Sequence, residues 1–181
     1  MKLKILVKRF KNEKGEPFVT LPKIIKKGDW IDLFAARECV LNAPQAGTLK
    51  GKEVKHRDVI SEVTYIPLGI AMKLPKGYEA ILAPRSSSAK KLGIMLANSI
   101  GIIDNSYGGN DDQWMFPAIT LRKTAIALNT RLCQFRIQLS QKATVWQKIK
   151  WLFASGIELV EVDHLDSDNR GGFGSTDNDN H

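Results

Sequence analysis

The chain reads as a succession of short apolar runs, each closed by a turn, and that rhythm constrains it to an antiparallel all-β architecture. Lys2–Phe10 alternates with period two and sets Leu3, Ile5 and Val7 on one face, as a half-buried strand does. Further runs follow at Trp30–Ala36, Ile66–Leu74, Glu79–Pro84, Gly93–Ala97, Trp114–Leu121, Thr124–Leu128, Leu132–Leu139 and Ile157–Val162. The polar stretch Lys11–Pro17 holds Gly15 and Pro17, and Pro75-Lys76-Gly77-Tyr78 joins a proline fixed in φ to a glycine free to turn left-handed. This spacing predicts a sandwich or jelly roll.

One segment departs from the pattern. Ala143–Ala154 places Val145, Ile149, Leu152 and Phe153 at helical spacing, and Ser155-Gly156 ends it. The spacing predicts a single helix whose apolar and aromatic residues pack into the core. After Asp163 apolar residues nearly vanish. Residues 1–165 therefore read as one domain, and 166–181 as a flexible tail with no core of its own.

Bulk properties narrow the partners. The 181 residues carry 27 Lys and Arg against 19 Asp and Glu, a formal charge of +8 that suits a polyanion: nucleic acid, a membrane surface or a nucleoside triphosphate. The excess gathers in the first 57 residues, without the interleaved aromatics that single-strand binding uses. Cys39 and Cys133 allow no disulfide framework and no zinc cluster, and both are expected to be buried thiols. His56, His164 and His181 make no ligand spacing. The basic residues within Met1–Phe10 exclude a signal peptide or a membrane span there, so a reducing cytoplasm is the expected compartment.

Three segments could carry chemistry. Pro84-Arg85-Ser86-Ser87-Ser88 offers a guanidinium fork and hydroxyls for phosphate oxygens, or forms a plain surface turn. Gly101-Ile102-Ile103-Asp104-Asn105-Ser106-Tyr107 reads as a strand running into a hairpin. Its aspartate could hold a water as general base, or cap the turn with its side chain. Arg170-Gly171-Gly172-Phe173-Gly174-Ser175-Thr176 combines a flexible frame with one aromatic ring, a cation and two hydroxyls, enough to wrap a planar base and phosphates, or is an idle tail. Phosphate-binding loops, dinucleotide fingerprints and nucleophile elbows are missing from the sequence.

In that order the three segments resemble the trimeric dUTPase family. Ile31-Asp32-Leu33-Phe34-Ala35 is similar to its first motif and Thr130-Arg131-Leu132-Cys133-Gln134-Phe135 to its fourth. Ile66-Pro67-Leu68-Gly69-Ile70 and Leu74-Pro75-Lys76-Gly77-Tyr78-Glu79 match the framework between the first two. The resemblance spans about residues 22–139 plus the tail.

It implies a distorted jelly-roll (β-clip) fold, a homotrimer with sites shared between subunits, and hydrolysis of dUTP to dUMP and pyrophosphate. Such a reaction keeps uracil out of DNA and supplies dUMP for thymidylate synthesis. Asp104 would activate the water that attacks the α-phosphorus. Tyr107 would lie against the deoxyribose and leave no room for a 2′-hydroxyl. The hairpin Asn98–Ile103, with Gly101 and Ile103, would present backbone groups and the Asn98 amide to uracil. Arg85, Ser86, Ser87 and Gln134 would hold the phosphates. Asp32 would act in the outer shell of a Mg²⁺ ion held mainly by substrate phosphates and waters. A neighbouring chain's tail would close the site, with Phe173 on the base and Arg170, Gly174, Ser175 and Thr176 along the phosphates. Neither membrane nor nucleic acid would be required, and the source could be cellular or phage.

The chain departs from the family at four positions: Trp30 and Ser87 stand where many members have glycine, Gly108 where many have arginine, and Arg170 lies closer to Phe173. Asn110-Asp111-Asp112-Gln113-Trp114 is a longer, acidic segment next to the site to which the sequence assigns no role, while Glu13–Pro22, Gly47–Glu62 and the helix Ala143–Ala154 read as insertions that decorate the trimer surface. A dCTP deaminase shares the fold and an Arg-Ser-Ser motif but would lack Tyr107. A non-catalytic binding module is the reading of another class.

Overall fold

The computed structural model describes residues 1–25, 28–46, 59–60 and 62–171. The tail residues Phe173, Gly174, Ser175 and Thr176 and most of Gly47–Glu62 lie outside the described residues. The strands are β1 (Leu3–Arg9), β2 (Ile31–Phe34), β3 (Cys39–Leu41), β4 (Gln45–Ala46), β5 (Val59–Ile60), β6 (Thr64–Pro67), β7 (Ile70–Lys73) and β8 (Tyr78–Pro84). They continue as β9 (Ile94–Leu96), β10 (Gly101–Ile103), β11 (Met115–Thr120), β12 (Thr124–Ile126), β13 (Arg131–Leu139) and β14 (Ile157–Glu161). A five-residue π-helical turn, Ser88–Leu92, follows β8, and the helix α1 spans Val145–Leu152.

These strands assemble into small sheets wrapped around one core. The main ones have the orders β14-β1-β7, β10-β8-β13-β2 and β6-β11-β9, and β12-β3 and β4-β5 form two-stranded ribbons. Leu3, Ile5 and Val7 are buried together on one face of β1, as the alternation requires. The apolar run Ile66–Leu74 is split into β6 and β7 because Gly69 takes φ +66 between them; a Cβ there would come within 2.8 Å of Ala36 Cβ. Trp114 and Phe135 meet edge to face, 5.3 Å apart, and lie among the largest fully buried side chains. Cys133 is buried, and burial pushes its thiol well up, whereas Cys39 is only half-buried on the ribbon strand β3.

The helix forms where the sequence predicts it, and its cap explains where it starts. Thr144 accepts a hydrogen bond from the Gln147 amide, while the Gln147 side chain accepts one from the Thr144 amide, a reciprocal capping box. The expected burial of its apolar residues is not what the fold adopts: no α1 residue is buried, and Trp146, Leu152 and Phe153 are more than 70% exposed. The helix rests on the body through few contacts. Trp151 tilts against Tyr78 at 5.5 Å, and the Tyr78 hydroxyl donates to the Gln147 carbonyl. Eight residues perched on a turn reach the sheet with one side only, so helical periodicity alone overstated the burial.

A second departure concerns the sheet edge that would read uracil. β9 and β10 do not pair with each other: β9 pairs with β11 and β10 with β8. Asn98–Ile100 is therefore an exposed corner between two sheets, turned by Ser99 at φ +60, and not the tip of a ladder hairpin.

Candidate active site

The sheet β10-β8-β13-β2 carries two clusters of polar side chains, at opposite ends. Asp104 follows β10 directly. Its Oδ1 accepts from both the Ser106 amide and the Ser106 hydroxyl at 2.9 Å, while the Tyr107 amide donates to the Asp104 carbonyl at 3.0 Å. The sequence allowed a turn cap or a base, and the geometry permits both at once. One oxygen is committed to the turn, and no donor among the described residues bonds Oδ2. The Ser106 amide, then its hydroxyl, and then the Arg170 charge hold the Asp104 carboxyl below the usual carboxylate range. The turn is pinned from behind by Asn105, whose Nδ2 donates to the Leu74 and Pro75 carbonyls at 2.8 and 2.9 Å.

Tyr107 is half-buried beside this carboxylate, and its hydroxyl donates to the Gln113 carbonyl at 2.9 Å. Burial first, and the Asp112 carboxylate second, push its phenol pKa up, so the ring stays neutral. Gly108, where many relatives of the motif carry arginine, is buried: a Cβ there would stand 3.3 Å from the Met72 carbonyl oxygen. Ile103 ends β10 next to Asp104, whereas Asn98 lies exposed at the corner that precedes the strand, and Gly101 is buried against Leu82.

The other cluster sits where β8 ends. The Arg85 Nε donates to Asp32 Oδ1 at 2.8 Å, and Arg131 Nη1 reaches Asp32 Oδ2 at 3.4 Å. Ladder register sets this meeting: Asp32 is opposite Gln134, and Gln134 is opposite Ala83. A bulge between Arg131 and Cys133 shifts the β13 register against β2 and brings Arg131 to the same carboxylate. Ser88, only 2% exposed, fixes the turn, accepting from the Arg85 amide at 3.1 Å and donating to the Leu132 carbonyl at 2.9 Å. Ser86 is left exposed and Ser87 half-exposed. Gln134 Nε2 donates to the Pro84 carbonyl at 3.3 Å. Of the three consecutive serines, sequence reasoning singled out two as phosphate ligands. It passed over Ser88, the one that shapes the loop, because only burial distinguishes them.

Within one chain the two clusters do not converge. Ile103 is level with Ala80 while Asp32 is level with Ala83. Asp104 therefore stands four residues along the strands, ~13 Å, and three strand spacings, ~14 Å, from Asp32.

No group of three or more His, Cys, Asp or Glu able to hold a metal occurs among the described residues. Both Asp32 oxygens are already engaged by arginines, so this donor set fits a Mg²⁺ ion held by substrate phosphates and waters, with Asp32 outside its first coordination shell. No helix of the described residues is long and apolar enough to cross a membrane.

The acidic run after Tyr107 turns out to be structural. Asp112 is 1% exposed and accepts from the Gly109 amide at 2.8 Å, from the Arg170 amide at 3.0 Å and from the Gly171 amide at 3.2 Å. Asn169 and Asp111 exchange two hydrogen bonds, of 2.8 and 2.6 Å. Arg170 Nη1 then donates to Ser106 Oγ of its own chain at 2.8 Å, next to Asp104. Within the single chain the Arg170 side chain thus lies at the Asp104 turn.

Comparison with known proteins agrees with this architecture. The family model for dUTPase matches residues 54–150, a stretch that includes most of α1. The chain is 40% identical over 152 residues to a prophage-derived deoxyuridine 5′-triphosphate nucleotidohydrolase of Bacillus subtilis, covering 84% of this chain and 86% of that one. It is 32% identical to the deoxyuridine 5′-triphosphate nucleotidohydrolase of Fusobacterium nucleatum, covering 89% and 92%. Among solved structures, the dUTPase of Streptococcus mutans superposes with a TM-score of 0.55 at 20% identity, over 68% of this chain and 88% of that one. A dUTPase from the Staphylococcus aureus phage phi11, described with a structural Mg(II) ion, gives a TM-score of 0.57 at 17% identity, over 78% and 94%. These structural neighbours share the β-clip jelly roll. By sequence similarity across most of its length and by fold, the chain belongs to the dUTPase family.

Proposed function

We propose that the protein hydrolyses dUTP to dUMP and pyrophosphate in a homotrimer whose sites combine the Asp104 end of one subunit with the Arg85 end of another. The observation that carries this reading is the split of the polar residues between opposite ends of one sheet. A carboxylate with one free oxygen and a guanidinium–amide clamp lie too far apart in a single chain to share a triphosphate. A second copy brings them together. Exposed apolar residues on and beside β10, Ile100 and Ile102, and on β9, Met95, support such an assembly.

In this reading Asp104 Oδ2 accepts a hydrogen bond from water and takes its proton as the oxygen attacks the α-phosphorus. The bond from that phosphorus to the bridging oxygen of the β-phosphate breaks, and pyrophosphate leaves. Arg85, fixed through Nε by Asp32, offers its terminal nitrogens to the phosphates, with Ser86, Ser87 and Gln134 beside it. A Mg²⁺ ion bound to the phosphates would neutralise charge on the departing pyrophosphate. Tyr107, held by Gln113, forms a wall against the sugar, and the Asn98–Ile103 corner reads uracil. Phe173, Gly174, Ser175 and Thr176 close over the ligand. Most of the work is positioning and charge neutralisation, as phosphoryl transfer requires.

The test is a nucleotide panel with Mg²⁺. Pyrophosphate release from dUTP, with little from dCTP, dTTP or UTP, is expected, along with a native mass of three chains. Ammonia release from dCTP, or an active monomer, would overturn the reading.

A further inference from the structure

Tyr107 and Trp114 stand at the two ends of a short loop, and the hydroxyl of the first closes it. Tyr107 Oη donates to the Gln113 carbonyl at 2.9 Å, one residue before Trp114. Trp114 is anchored in the core. Its ring is fully buried, its amide donates to the Ile70 carbonyl at 2.8 Å, and its carbonyl accepts from the Leu68 amide at 2.9 Å. The peptide unit between Gln113 and Trp114 therefore has its N–H tied to β7. In a planar trans peptide the C=O points the opposite way, so the same tie aims the Gln113 carbonyl that receives the phenol.

The near end is fixed as well. The Tyr107 amide donates to the Asp104 carbonyl at 3.0 Å, and Gly108 runs so close to β7 that a Cβ would stand 3.3 Å from the Met72 carbonyl oxygen and 3.4 Å from the Lys73 Cα. Between the two ends one carboxylate draws the loop tight. Asp112 Oδ2 accepts from the Gly109 amide at 2.8 Å, and the Asp112 amide donates back to the Gly109 carbonyl at 3.3 Å. The Gln113 amide donates to the Asp111 carbonyl at 2.8 Å, and Lys8 Nζ holds the outer side at the Asn110 carbonyl, 3.0 Å away. All of these bonds but the tie to Lys8 lie within the loop or join it to the strand and turn that flank the Asp104 end.

We propose that the Tyr107 hydroxyl bond to the Gln113 carbonyl determines the discrimination between deoxyribose and ribose, with Asp112 as the positioning residue that sets it. The inference rests on the reading of Tyr107 as the wall against the sugar. A wall rejects an added hydroxyl only if it cannot yield, and a half-buried ring without an anchor can tilt away. The bond also commits the one hydrogen that the phenol has to give. A ribose 2′-hydroxyl packed against this ring would lose its water and meet no donor, so the cost of desolvation adds to the steric one. A released ring could swing aside or turn its hydroxyl to the sugar, and either change would admit ribose.

The readout is kcat/KM for UTP relative to kcat/KM for dUTP. Because the Tyr107 amide is tied to the Asp104 turn, a loop variant can lose rate on both nucleotides, and only the ratio isolates the sugar. Tyr107→Phe keeps the ring and removes the hydroxyl alone. It is expected to raise the ratio by about tenfold. A ratio equal to that of the wild type would overturn the proposal. Asp112→Asn is expected to raise it in the same direction by a few-fold, and to add nothing in a Tyr107→Phe background. No change on its own, or a further rise in that background, would remove Asp112 from this role. Should Asp112→Asn fold poorly, Tyr107→Phe, which differs by one oxygen, still decides. Wild-type protein that turns over no dUTP would sink the proposed function and this inference with it. Wild-type protein that accepts dUTP and UTP alike would leave hydrolysis standing and overturn the wall, and with it the anchor.

Discussion

The two ends of the sheet β10-β8-β13-β2 each carry an aspartate, and the two are treated in opposite ways. Asp32 has both oxygens engaged by guanidinium groups, so its cluster ends with one arginine charge in excess. Asp104 is held by an amide and a hydroxyl on one oxygen, and its nearest cation, Arg170, reaches it only through Ser106. The first carboxylate aims cations; the second keeps a free, ionised oxygen. The same residue type thus becomes a bracket for an anion site in one place and a candidate base in the other, and the neighbours make the difference. In the proposed reaction neither end suffices alone, since the attacking water at one needs the phosphorus held by the other.

The sharpest way to break this contrast is Asp104→Asn. Turnover of dUTP is expected to fall by at least ~10²-fold, with substrate binding retained, because the amide cannot accept the proton. An unchanged kcat would make the two carboxylates equivalent after all. Arg85→Ala comes next and should act mainly on KM, raising it by about tenfold or more as a charge-assisted contact to phosphate is lost. A fall confined to kcat would place Arg85 in the chemistry and not in binding. Asp32→Asn should produce the same kind of change in smaller measure. The Asp32–Arg85 pair is more than a quarter exposed, and such pairs contribute roughly 1 kcal/mol or less.

Ser106→Ala probes the Asp104 end more gently. Asp104 has its pKa lowered chiefly by the Ser106 amide, then by the Ser106 hydroxyl. A depressed carboxyl pKa favours the ionised form, so activity that needs the free base should persist above that pKa and fall as pH drops through it. Removing the hydroxyl should move the acid limb of the kcat/KM profile upward, toward the usual carboxylate range. A limb that stays in place would assign it to another group. The smallest effect is expected at the helix: Trp146→Gln, at a residue 79% exposed, should change stability by less than about 0.5 kcal/mol. Thermal or urea unfolding would detect a larger change, which would mean that α1 contributes to the core.

Much of this was legible beforehand, for reasons that differ from element to element. β1 was readable because alternation with Leu3, Ile5 and Val7 on one face has no helical equivalent. The helix was readable in place, since Thr144 and Gln147 stand at capping-box spacing, but not in environment: periodicity gives a face without saying whether anything lies beneath it. The family resemblance implied a hairpin over Asn98–Ile103. Its two strands nonetheless join different sheets, which only long-range pairing settles. At the candidate site Asp104, Arg85 and Gln134 could be named from local motifs. Ser88, Arg131, Asp112 and Asn169 could not, because their work is done on partners 44 to 99 residues away.

What the sequence determined alone is the set of local decisions: short strands, tight turns, one capped helix, and a carboxylate set in an Asx-type turn. Each depends on residues a few positions apart, whose propensities act before the chain has folded. The tertiary structure decided which groups meet. It put Asp104 and Asp32 at opposite ends of one sheet, buried Asp112 under the residues that follow β14, and set Arg170 beside the Asp104 turn. Those outcomes depend on ladder register and close backbone approach, where a shift of one residue turns a side chain to the other face.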